Sequence, residues 1–266
     1  MSPTRHATDR FTPGTFAPRP APAPAGKLLR SQAKIETLLF LRHGEQQLVS
    51  LVIPVGMLIV FSLLPVTDLD NPVDEIFPMT LGVALMSAGF TGQSIAVAFD
   101  RRYGALKRIG ASGIPTWALI GGKVAAVLAA VVMQLVLLTA IALLLGWRPD
   151  SAGILPAAVF ILVGAATFTA LGLLLGGTLS SDLVLALGNT IWFLLMGAAV
   201  VTVLDPDMPR IAEDALGLLP SVALTHGLVD ASNGSFTPVS LLILLVWGVA
   251  GTLAALRWFS FTMDRD

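Results

Sequence analysis

FDRRYGALKRIGASGIP, residues 99–115, lies between two hydrophobic runs, 76–99 before it and 115–146 after it. Within eight residues it carries Arg101, Arg102, Lys107 and Arg108, with Asp100 as its one acid. A membrane retains such a basic cluster between two apolar runs on its cytoplasmic side. Arg101, Arg102, Leu106, Ile109 and the small residues around them fit a short amphipathic helix lying along the membrane surface. A simple topology anchor is the other reading of the same charges.

Working outward, composition assigns the class. Hydrophobic residues make up 55% of the 266 and charged residues 12%, against roughly 25% charged in soluble domains. There is no cysteine, which excludes a disulfide framework, a thiolate nucleophile and a Cys-based metal site. Apolar runs near the ~20 residues needed to cross a bilayer recur at 48–66, 76–99, 115–146, 154–179, 183–204 and 240–259. The expectation is an all-α integral membrane protein with six transmembrane helices over 48–261. Residues 1–26, rich in Pro and Ala, read as a solvated leader, and 262–266 as a short tail. Residues 27–47 read as an amphipathic interfacial helix: Leu28, Leu29, Ile35 and Leu38 supply its apolar content, Arg30 and Lys34 reach toward headgroups, and Glu36 moderates the charge. With both termini cytoplasmic, thirteen Lys or Arg fall inside and two, Arg148 and Arg210, outside. That bias sets the expected orientation.

Polar residues inside the runs are few. Asp68, Asp70, Asp74 and Glu75 read as a solvated acidic outer turn, since DLDNPVDE lacks the glycine and distal glutamate of a calcium loop. Gln93, Gln134 and Asn189 are candidates for a substrate path or for helix packing, with bonds between helices expected for both glutamines. Ala88, Gly92 and Ala96 form an i+4 stripe for close helix approach, as do Gly172 and Gly176. The run 115–146 would be about 48 Å long if wholly helical. It must tilt, project into the cytoplasm, or break near Gly121-Gly122. Lys123 either snorkels to the surface or charges a cavity. The acidic segment 205–238 holds two helical stretches too short to span, 211–219 and 222–229, with Pro220 at the break: a re-entrant outer pair.

The chemistry is largely one of exclusion. No GxxxxGK[ST] loop, HExxH or GxSxG motif is present, so no catalytic, cofactor or metal residue is assigned. Carboxylates lie mostly between the runs rather than inside them, unlike an ion-coupled carrier. The expectation is a non-enzymatic path whose energy comes from elsewhere.

The ordered pattern resembles the membrane (permease) subunit of type-2 ATP-binding-cassette exporters. Asp100, Arg101, Arg102, Tyr103, Gly104, Ala105, Leu106, Lys107 and Arg108, then Ala111, Ser112 and Pro115, match the family's basic loop after the second span. The family often has Glu where Asp100 and Lys107 stand. LGLLPSVALTHGLVDASNG is similar to its paired re-entrant helices. The resemblance implies a cytoplasmic coupling helix between spans two and three, with Asp100, Arg101, Arg102, Tyr103, Gly104, Leu106, Lys107 and Arg108 meeting an ATPase subunit. It implies that Arg30, Lys34 and Glu36 belong to an interfacial helix that moves with it. The implied partners are cytoplasmic ATPase subunits carrying ATP and Mg, a second permease copy or paralogue, and membrane lipid, with no nucleic acid. The implied role is plasma-membrane efflux of a hydrophobic or amphipathic cargo. An ion- or proton-coupled carrier and a non-transporting assembly factor are the alternatives.

Overall fold

The computed structural model describes residues 23–42, 44–64, 71–111, 113–205 and 207–260, with the backbone alone at 40, 41, 44–50 and 116. The leader up to residue 22, His43, Asp68, Asp70, Ser112 and the residues after 260 lie outside the described residues. Among those described, every regular element is helical: α1 (Ala25–Arg42), α2 (Gly44–Leu63), α3 (Pro72–Met86), a π-turn (Ser87–Gly92), α4 (Gln93–Arg102), α5 (Ala105–Ala111), α6 (Thr116–Leu144), α7 (Ile154–Thr178), α8 (Ser181–Leu204), α9 (Arg210–Gly217), α10 (Pro220–Ser232) and α11 (Pro238–Trp258).

Five of these stretches are long and apolar enough to cross a membrane: Pro72–Arg102, Trp117–Leu144, Ser151–Thr178, Ser181–Leu204 and Pro238–Trp258. The first expected span falls on α2, whose described apolar part, Leu51–Leu63, is shorter. Pro54 lies inside α2 without ending it. Several element limits differ from the sequence expectation. The α1 helix is described to Arg42 and α2 from Gly44, so residues 44–47, read with the amphipathic helix from the sequence, are described within α2. Asp74 and Glu75 are in the first turn of α3, not in a loop, where carboxylates oppose the positive end of the helix dipole. Likewise Ser181 and Asp182 open α8.

The α3 helix is the centre of the bundle. All its residues from Ile76 to Met86 are buried, and α2, α6, α7, α8 and α10 pack around it. By contrast α8 buries one stripe, Ser181, Val184, Gly188, Trp192, Ala199 and Val203, and leaves leucines and Phe193 exposed on the rest. A helix apolar all round with one packed stripe is suited to lipid or to another subunit on its outer face. At the acidic end, α10 enters the bundle against α3, α7, α8 and α11, with Pro220 in its first turn and Val222, Leu224 and Leu228 buried. Its partner α9 has no buried residue. The two short helices thus exist as expected, but only α10 is inserted.

The α6 helix runs unbroken through Gly121-Gly122. Its excess length at the basic end is covered by α1, which packs along it. A Cβ at Gly121 would meet the Leu29 side chain at 2.6 Å, and one at Gly122 would meet Gln32 Cγ at 2.6 Å. The two glycines are therefore the seat of α1 rather than a hinge.

Candidate functional site

At the basic end of the bundle the end of α4, the start of α6, the end of α7, the start of α8 and the chain beyond α11 surround the loop 99–115. The α4 helix stops at Tyr103, Gly104 turns the chain with φ +72°, and α5 follows for seven residues. Gly113, φ +75°, and Pro115 then start α6. Both positive φ values suit glycine, which has no Cβ to clash. Leu106 is fully buried with Val97, Leu119 and Leu173, and Ile109, Ile120 and Phe259 pack against this cluster. One apolar anchor therefore joins α5 to α4, α6, α7 and the chain beyond α11.

Arg101 points inward and is 6% exposed. Its guanidinium Nη1 donates to the carbonyls of Gly176 and Leu179, each at 2.9 Å. These lie at the end of α7, where carbonyls have no partner within the helix and the dipole is negative. Arg102 Nη1 donates to Ser181 Oγ at 2.9 Å and to Asp182 Oδ1 at 3.2 Å at the start of α8. That second pair is exposed on both sides, so it contributes little.

Lys123 neither snorkels nor lines an open cavity. It is 2% exposed, with Nζ 3.1 Å from Glu36 Oε2 and 3.5 Å from Asp100 Oδ2. Gln32 Nε2 donates to the other Glu36 oxygen at 3.0 Å. One buried ammonium thus ties together α1, α4 and α6. The signal for it in the sequence was a lysine next to the glycine pair and an acid in the amphipathic helix. Nothing in the sequence set them at the same height.

The outer side of the loop is different. Tyr103 is 70% exposed and stacks on Phe99 with ring centroids 5.9 Å apart. Lys107, Arg108, and on α1 Arg30 and Lys34, are exposed. The residues singled out from sequence therefore divide in two. Arg101 and Leu106 are engaged inside the chain, Asp100 and Glu36 bind Lys123, and Gly104 makes the turn. Arg102, Tyr103, Lys107 and Arg108 present a cationic and aromatic surface.

The three polar candidates in the spans also separate. Asn189 is exposed on α8, and its Nδ2 donates to its own helix at Leu185 O, 2.9 Å. Gln93 and Gln134 are buried, but the helix bonds expected of them are not there: Gln93 Oε1 and both amide atoms of Gln134 have no partner among the described residues. The small stripe Ala88, Gly92, Ala96 is not the close-approach face either. The π-turn adds a residue between its members and rotates Gly92 and Ala96 off it. Instead α7 presses Gly172 against the carbonyls of Gly89 and Phe90, where a Cβ would sit 2.6 and 2.7 Å from the oxygens. Gly176 lies the same way on the Ser94 carbonyl.

No curated protein and no solved structure matches the chain. A family profile described as ABC-2 family transporter protein matches residues 46–257. That match takes in the loop 99–115 and every helix from α3 to α10, so the chain belongs to the ABC-2 transporter family as its multi-pass membrane, or permease, subunit.

Proposed function

We propose that this permease moves a hydrophobic or amphipathic cargo outward, from the cytoplasm or inner leaflet of the plasma membrane, driven by ATP and Mg bound on separate ATPase subunits. The basic end and both termini face the cytoplasm, as the Lys and Arg distribution favours, and the membrane unit is a pair of such chains or of this chain with a paralogue. The observation that carries the reading is the two-sided loop. Its outer side offers Tyr103, Lys107 and Arg108 to a partner. Its inner side is locked to α7 by Arg101, to α1 and α6 through Asp100 and Lys123, and to the apolar cluster by Leu106. Force applied at α5 therefore reaches four other helices without slack. Permeases of this family typically work with ATPase subunits, which supplies the partner's class.

The test is a Lys107→Glu/Arg108→Glu variant of the chain co-expressed with an ATPase subunit that co-purifies with the unmodified chain. Cargo-stimulated ATP hydrolysis and vesicle efflux should fall together while the amount of inserted protein stays unchanged. Full efflux by the isolated chain under an ion gradient, without nucleotide, would instead establish a gradient-driven carrier.

A further inference from the structure

We infer that the π-turn Ser87–Gly92 marks a cargo site, closed in this conformation, that takes the uncharged, hydrogen-bonding part of an otherwise apolar molecule. The inference rests on the permease reading and adds the cargo's chemistry to it.

Two independent observations converge there. The first is the turn itself. A π-turn inside a spanning helix interrupts the regular hydrogen-bond ladder, and such turns are frequent at functional sites. The second is a set of buried side-chain atoms with no hydrogen-bond partner among the described residues: Thr91 Oγ1, Gln93 Oε1, both amide atoms of Gln134, Thr169 Oγ1 and Trp192 Nε1. Packing contacts and helix rise bring these five to one level. The Thr169 nitrogen is 3.3 Å from the Cβ position at Gly89. Trp192 is one turn along α8 from Gly188, whose Cβ position is 3.4 Å from Ser94 Oγ. Gln134 is eleven residues from Lys123 on α6, and Gly89 is eleven residues from Asp100, the residue that Lys123 pairs with. Equal rise of about 1.5 Å per residue puts Gln134 at the height of the turn.

Structural polar groups in a bundle core are satisfied by their neighbours. Here the π-turn, α4, α6, α7 and α8 each bring a group that is not, at one depth, around one irregular turn. Amides and hydroxyls supply both donors and acceptors, and the indole supplies a donor. None of the five side chains can carry a charge; Arg101, bonded to the Gly176 carbonyl, and the Lys123 cluster are engaged with their own partners toward the basic end. The set therefore suits hydroxyl, ether or amide groups on cargo, and offers no counter-ion to an ammonium or a phosphate.

The natural absence of cysteine makes the test clean. Single variants Thr91→Cys and Thr169→Cys, with Ala84→Cys as a buried apolar control and Leu194→Cys as a lipid-facing one, are made in the full chain in membrane vesicles. Each is exposed to a neutral, hydrophilic thiosulfonate, which reacts with the thiolate and so reports water at the site. A site that opens in a minor state populated at the per-cent level should be modified about tenfold faster than either control. An alkyl glucoside below its micellar concentration should slow that reaction, and an alkyltrimethylammonium of equal chain length should not. Thr91→Cys and Thr169→Cys rates no faster than the controls would overturn the site, and protection by the ammonium alone would overturn its assignment to uncharged groups. Fast, glucoside-protected labelling that ignores ATP in the presence of the ATPase subunits would leave the site standing and remove the ATP-driven reading.

Discussion

Arg101 and Arg108 are seven residues apart in one basic cluster, yet they do different work. Arg101 closes the end of α7 from inside the bundle, and Arg108 faces out. Arg101→Gln should lower stability by about 2–4 kcal/mol, the scale of one or two hydrogen bonds from a charged group, read as a lower melting temperature in detergent. Lys107→Ala should leave that temperature unchanged. Lys123 gives a sharper contrast. Lys123→Met strands Glu36 in a buried setting and should cost about 3–5 kcal/mol, whereas the double variant with Glu36→Met should recover most of the loss. Equal melting temperatures for the single and double variants would refute the pairing. The sequence made the cluster legible as a group. It could not sort the inward cation from the outward ones, because that depends on the turn at Gly104 and on where α7 ends.

At the scale of the helix, what was hidden was phase. Apolar runs and prolines made the helices from α3 to α11 readable to within a few residues. The π-turn was not readable, because SAGFTG differs in no obvious way from an ordinary small-residue stretch. It moved the contact face from Ala88, Gly92 and Ala96 to Gly89 and Phe90. Gly172→Val should therefore destabilise strongly, since its side chain would enter the carbonyls of Gly89 and Phe90, while Gly197→Ala, with open space around it, should be silent. The docking of α1 can be tested in the same way. Gly122→Leu should push Gln32 off α6 and accelerate tryptic cleavage at Arg30 and Lys34, measured by mass spectrometry. An unchanged cleavage rate would show that α1 is held by other contacts.

For the molecule as a whole, the order of elements was legible and the traffic among them was not. Composition showed a membrane bundle with a basic end and an acidic end. It did not show that α3 would be the buried hub, that α10 rather than α9 would be the inserted helix, or that α8 would keep most of its surface uncovered. The exposed apolar faces of α8 and α11 are open to lipid or to a second membrane subunit. Mild extraction followed by native mass spectrometry should give complexes with two membrane subunits and two ATPases, and a species with one membrane subunit throughout would contradict the paired arrangement. The unbroken course of α6 has a mechanical corollary. A helix of 29 residues is a rod of about 43 Å, free of interior proline and π-turn, and its glycine pair Gly121-Gly122 is backed by Leu29 and Gln32 of α1. One tip is gripped by α1 and the Lys123 triad; the other leads to Trp147, which leans on Phe77 at the opposite rim. A tilt imposed at the gripped tip is therefore carried along the rod to the Trp147 rim.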